Sequence, residues 1–208
     1  YSPDGSLFFA AAMGVYPHLN IIDAAFSVTD GVTQRSIFAS RVLNHERMDT
    51  RVGPISIKIE HPLHRVRLTV ADNASGISGD LVFTGRAAPI EEPRFTRMNG
   101  ARTLMDITRM TQNGNYSGTL SMDGTKHDLG HWRGTRDRSW GVRPIGSPDA
   151  QPQLPPVPFQ FYWIWAPLNF DGYALFFHTN DDAMGVPWNR AAVLVPLDGK
   201  SAPIHLSA

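Results

Sequence analysis

Short runs in which apolar and polar residues alternate, cut by Gly or Pro about every ten residues, constrain this chain more than any other feature. Ile55, Ile57 and Ile59 alternate with Ser56, Lys58 and Glu60, while Val66, Leu68 and Val70 alternate with Arg65, Arg67 and Thr69. A period of two places successive side chains on opposite faces of an extended backbone, so each run predicts a strand with one face in a core and one in water. His61-Pro62-Leu63-His64 stands between them and predicts a hairpin.

The same pattern predicts strands over 7–13, 21–29, 33–42, 79–85, 103–110 and 116–122, with tight turns at Asp30-Gly31 and Asp123-Gly124. No helix long enough for a crossover intervenes, so consecutive strands are expected to be antiparallel neighbours in a meander. A sheet of this size tends to curl and close, which predicts an antiparallel barrel. A second series runs over 139–143, 159–167, 173–179 and 191–196, interrupted by a Pro-rich loop at 144–158. The expected division is a first barrel over 1–125 and part of a second over 126–208. The chain opens at Tyr1 on strand-like sequence and stops in the apolar stretch Pro203-Ile204-His205-Leu206-Ser207-Ala208 without a polar tail, so it reads as a fragment with strands missing at both ends.

Composition narrows the function. Hydrophobic residues make up 42% of 208 and charged residues 18%, enough apolar mass for a packed core and too little net charge for disorder. Nineteen basic residues balance nineteen acidic ones, and the lysines are Lys58, Lys126 and Lys200, so no basic field exists to follow a phosphate backbone and a nucleic-acid partner is disfavoured. The apolar run at 8–15 is far shorter than the ~20 residues of a membrane span. Without cysteine there are no disulfides or thiolate sites, and a cytoplasmic location is expected. The histidines show neither HxH nor HExxH spacing, and nucleophile-elbow, phosphate-loop and dinucleotide motifs are absent, so no metal and no cofactor is expected.

Two segments carry the candidate chemistry. In 131–143, alternation puts Thr135, Asp137, Ser139 and Gly141 on one face and Arg136, Arg138, Trp140 and Val142 on the other. Asp137 reads either as scaffolding paired to Arg136 or Arg138, or as a general acid whose pKa an apolar surrounding would raise. In 159–165, Phe159, Phe161, Trp163 and Trp165 share a face, either filling a core or gripping an apolar ligand. His178, within Leu175-Phe176-Phe177-His178-Thr179, is either a satisfied core histidine or a proton donor facing the cavity. The candidate set is thus Asp137 as catalytic acid, with Arg136, Trp140, Phe161, Trp163, Trp165 and His178 binding a small apolar ligand.

Gly134-Thr135-Arg136-Asp137-Arg138-Ser139-Trp140-Gly141-Val142-Arg143 resembles the G-x-R-D-H-S-W-G-x-R signature of the hydroxyneurosporene synthase (carotenoid 1,2-hydratase) and AttH-like superfamily. Val52-Gly53-Pro54-Ile55 and Glu91-Glu92-Pro93-Arg94 are similar to landmarks of that group's first domain. The resemblance implies two lipocalin-like (calycin) barrels, the second partial here. It also implies that Asp137 matches the acid that protonates an isoprenoid double bond. Arg138 stands where histidine is common, so histidine-assisted proton transfer is not implied. The expected function is binding of a terpenoid-, lipid- or polyketide-like molecule, with acid-catalysed hydration, isomerisation or cyclisation; the alternative is a non-catalytic carrier, sensor or structural module.

Overall fold

The structure, a computed structural model, describes residues 1–143 and 162–207. Its elements among the described residues are all strands. The first seven are β1 (Phe8–Tyr16), β2 (Ile21–Thr29), β3 (Gln34–Val42), β4 (Arg51–Val52), β5 (Ile55–His61), β6 (Arg65–Val70) and β7 (Ile77–Gly85). There follow β8 (Ile90–Glu91), β9 (Phe95–Asn99), β10 (Arg102–Met122), β11 (Thr125–Asp128) and β12 (Trp132–Val142). The last four are β13 (Tyr162–Asn169), β14 (Tyr173–Asp181), β15 (Pro187–Pro196) and β16 (Ile204–Leu206). No helix among the described residues is long and apolar enough to cross a membrane.

The chain divides into two compact units, unit 1 from residues 1–85 and 114–134, and unit 2 from 86–113 and 135–208. The sequence reading put a single boundary near residue 125. The chain instead crosses between units three times: after Gly85, within β10, which gives 102–113 to unit 2 and 114–122 to unit 1, and within β12 between Gly134 and Thr135.

In unit 1, β1-β2-β3 form one antiparallel sheet, and the path β11-β10-β7-β6-β5-β4 curls into a half-barrel of six strands. The alternation read from sequence sets the inward faces: Ile22, Ala24, Phe26 and Val28 of β2 are all buried. They join Leu68, Val70, Ile77, Leu81 and Leu120 of the larger sheet in one apolar core. Each of these side chains larger than Ala24 contributes about 1.5–3 kcal/mol by leaving water. Phe9 ties the layers, its ring stacked 5.5 Å from Phe26 and edge-on at 4.8 Å to Tyr116. Asp123 and Gly124 sit at φ 51° and 80°, the paired positive values of a tight hairpin turn, and close β10 onto β11.

No sheet closes on itself among the described residues, so the expected closed barrels are not found. One cause is visible beside β4. No ladder joins β3 to β4; the Arg41 guanidinium takes its place, donating from Nε to the Arg51 carbonyl at 2.7 Å and from Nη2 to the Asp49 carbonyl at 2.6 Å. A side chain thus satisfies carbonyls that a neighbouring strand would otherwise pair.

In unit 2, β13-β14-β15-β16 form an antiparallel sheet, and β8 and β9 pair with the first half of β10. Its inward face carries Ala174, Phe176, Val193 and Val195, packed with Ala87 and Ile90. The buried polar residues Thr111, Gln112 and Asn113 lie on β10, in the stretch left between the expected strands 103–110 and 116–122. Gln112 donates to the Ala87 carbonyl at 3.0 Å and Asn113 to the Leu168 carbonyl at 3.2 Å, which is why polar sequence continues the strand there.

Candidate functional site

Unit 2 buries a charged pair at its centre. The Glu92 amide donates to the Arg109 carbonyl at 2.8 Å, one step beyond the β8 ladder, so the two residues stand opposite each other on neighbouring segments. Pro93 follows and has no amide donor to extend the pairing. Glu92 is 4% exposed, and its carboxylate is saturated. Oε2 accepts from Arg109 Nε at 2.7 Å and Nη2 at 2.6 Å; Oε1 accepts from Thr111 Oγ1 at 2.5 Å and Trp165 Nε1 at 3.2 Å. Four donors replace the water a buried carboxylate loses, and charge-assisted bonds of this kind are roughly twice as strong as neutral ones.

The register of the four-stranded sheet brings a histidine to this pair. Trp165, His178 and Ala191 are cross-strand partners, and Trp163, Asn180 and Asn189 form the next row on the same face. His178 is fully buried, with Nδ1 3.7 Å from Glu92 Oε2 and Nε2 2.5 Å from Asn189 Oδ1. Asn189 Nδ2 donates to the Pro93 carbonyl at 3.0 Å, an atom that can only accept, and this assigns the amide orientation. Asn189 Oδ1 therefore accepts from His178 Nε2–H, and Nδ1 holds a lone pair with no hydrogen-bond partner. Burial pushes the His178 pKa below its ordinary 6.5; Arg109 acts in the same direction, while the Asn189 bond and Glu92 oppose it.

Above the pair lie two indoles. Trp163 and Trp165 rings are 6.5 Å apart, and the Arg109 guanidinium packs 5.2 Å from the first and 6.0 Å from the second. Such cation–π contacts are worth about 0.5–2 kcal/mol each, more as water is excluded. Arg109 is nearly enclosed, its side chain 12% exposed, whereas Trp163 remains 46% exposed.

The fourth component comes from β12. Asp137 makes no side-chain hydrogen bond or ion pair among the described residues, so neither Arg136 nor Arg138 clamps it. Its side chain is exposed to water. Even so, its pKa is raised above the ordinary 3.8, chiefly by desolvation and further by Glu92, against Arg109 and Arg143. Asp137, Glu92 and Arg109 therefore act on one another electrostatically.

With this geometry in hand, the chain matches one family model, over residues 1–207. It belongs to DUF8625, a family of unknown function. No curated protein and no solved structure matches it.

In this DUF8625 chain, Trp163, Trp165 and His178 come together as one face, with Asp137 in the field of the pair beneath them. Arg136 is half-buried and Trp140 is 49% exposed; strand alternation sends both to the side of β12 away from Asp137. Phe161 lies outside the described residues, as does the Pro-rich loop expected at 144–158. Glu92, Arg109, Thr111 and Asn189 were not foreseen. For Arg109 a signal was present: it shares the odd-numbered face of β10 with Met105 and Ile107, and a charge on an apolar stripe marks a buried ion pair.

Two open grooves lie elsewhere. One, about 340 Å³, is lined by Phe177, Thr179, Asp181, Pro187 and Arg190, on the sheet face opposite His178. The other, about 740 Å³, belongs to unit 1 and is lined largely by polar residues such as Asp72, Ser78, Asp80, Ser121 and Lys126.

Proposed function

We propose that this chain binds a small, mainly apolar molecule against the Trp163–Trp165 face of unit 2, with Asp137 as its proton donor. One observation carries the reading: Trp163 leaves 46% of its surface open while Arg109 and Trp165 hold the indole in place. A large rigid apolar ring with a fixed orientation is the kind of anchor that binding sites use. The likeness of residues 134–143 to the hydroxyneurosporene synthase signature supports the same reading and makes a lipocalin-type ancestry part of it.

Chemistry at such a site needs only a proton and water. A protonated Asp137 gives its proton to one carbon of a carbon–carbon double bond, leaving a cation at the other carbon. Water adds there and returns a proton to the carboxylate, so the net change is hydration without any oxidant. Partial desolvation and the Glu92 charge raise the Asp137 pKa against Arg109 and Arg143, the direction that this step requires.

A non-catalytic carrier is the second reading, favoured by the complete saturation of Glu92, which leaves Asp137 as the single available carboxyl of the cluster. Native mass spectrometry of the freshly purified chain should find a co-purified apolar compound. Farnesol should quench tryptophan fluorescence, and Trp163→Ala should weaken its binding about tenfold, or ~1.4 kcal/mol. Unchanged affinity in that variant removes the site. Asp137→Asn separates the two readings: it abolishes turnover of a bound alkene if the residue is an acid, and a carrier shows no turnover to lose.

A further inference from the structure

Small lipid-like molecules include uncharged alcohols and alkenes as well as carboxylates, and a carboxylate needs a free cation to offset its desolvation. Arg109 is the guanidinium packed against the exposed Trp163, yet both its Nε and Nη2 end on Glu92 Oε2, at 2.7 and 2.6 Å. Its flat face is taken up by the two indoles. Arg143, the other cation acting on Asp137, donates from Nη2 to Ser139 Oγ at 2.8 Å. The cluster thus holds two guanidinium groups and two carboxyl groups, with Arg109 already neutralised. An arriving carboxylate would meet Glu92 and Asp137 without an unmatched Arg109 to receive it.

We infer that the site takes an uncharged ligand, such as an alcohol or alkene, and rejects the corresponding carboxylate, and that Glu92 sets this preference by occupying Arg109. The inference rests on the Trp163–Trp165 face being the binding site. Glu92 acts through another residue, so it is a specificity-determining residue and not a catalytic one. Replacing its carboxylate by an amide keeps the shape and the acceptor for Thr111 and Trp165, but leaves Arg109 with a charge to be matched.

Farnesol and farnesoic acid differ only at one end and make the test. In the full chain at about pH 7.5, farnesol should bind at least about tenfold tighter than farnesoate, read by calorimetry or tryptophan quenching. Glu92→Gln should close that gap by strengthening farnesoate binding about tenfold while farnesol changes little. If this variant does not fold, Asp137→Asn provides a second arm and should narrow the ratio about threefold by removing the negative charge that Asp137 carries whenever its proton is off. Equal or tighter binding of farnesoate to the unmodified chain overturns the inference and leaves the binding site standing. A ratio unmoved by the substitutions overturns the role of Glu92. Failure of both compounds to bind overturns the apolar-ligand reading itself, and this inference with it.

Discussion

The two units bury different kinds of chemistry. Unit 1 encloses Phe9, Ile22, Phe26, Leu81, Leu120 and Trp132 with one buried polar side chain, Ser2, among its described residues. In unit 2 the buried side chains include Glu92, Thr111, Gln112, Asn113, His178, Thr179 and Asn180. A buried polar group costs free energy unless hydrogen-bonded, and a buried ion pair rarely stabilises better than a well-packed apolar substitute. Unit 1 therefore has the composition of a stable scaffold. Unit 2 gives up part of that stability to hold charges and a proton acceptor in fixed positions, which is the usual mark of a working site.

The largest effects should separate the units by mechanism. Phe26→Ala, at a fully buried position, should cost about 3–5 kcal/mol through lost transfer energy and a cavity. Glu92→Ala should cost about the same for a different reason, since it orphans the Arg109 guanidinium and removes the acceptor of Thr111 and Trp165. Urea unfolding followed by hydrogen exchange should place the first loss in unit 1 amides and the second in unit 2; a loss spread equally over both in either variant breaks the contrast.

Thr111→Val comes next, at about 2 kcal/mol, because it takes one charge-assisted donor from Glu92 and leaves the volume nearly unchanged. No unit 1 threonine substitution should match it. Equal costs for Thr111→Val and Thr29→Val would show that the Glu92 bonds are not special.

Acid should sharpen the contrast further. His178 has a folded-state pKa below its ordinary 6.5, so the unfolded chain takes up a proton before the folded one. Its contribution to stability is complete above that ordinary value and is lost as pH falls from it through the lower folded value. The melting temperature of unit 2 should drop on acidification from about pH 7.5 to 5.5, and His178→Gln should flatten the slope. A slope unaltered by the substitution points to another group.

Asp137 has the opposite sign and the smallest effect. Its raised pKa means that the folded chain binds the proton more readily, so its contribution is present below the ordinary 3.8 and lost as pH rises through the raised folded value. Asp137→Asn should slightly stabilise unit 2 at neutral pH and do nothing at pH below that ordinary value. Destabilisation at neutral pH would show the carboxylate to be a structural partner after all.

Much of the fold could be read from alternation. The hairpin of β5 and β6, the full extent of β2 and the Asp123-Gly124 turn all follow from local pattern, since each is decided by neighbours a few residues away. The strand Arg102–Met122 could not be read as one piece, because Thr111-Gln112-Asn113-Gly114 has the polarity of a loop. Gly114 shows why it is none: an added Cβ would lie 2.3 Å from the Phe83 ring, so the residue is small to let a side chain from β7 cross it. The candidate site was half legible. Trp163, Trp165 and His178 announced themselves by density and position, whereas Glu92 and Asn189 are ordinary polar residues until folding sets them against Arg109 and His178.

By itself the sequence determined an all-β chain of antiparallel strands, because side-chain period and turn chemistry are local properties that every strand carries in its own residues. Only the tertiary structure decided that the sheets stay open, that β10 serves two units, and that Glu92 meets Arg109, Thr111, Trp165 and His178. Those outcomes depend on partners distant in sequence, whose hydrogen bonds and charges exist only once the backbone has brought them within reach.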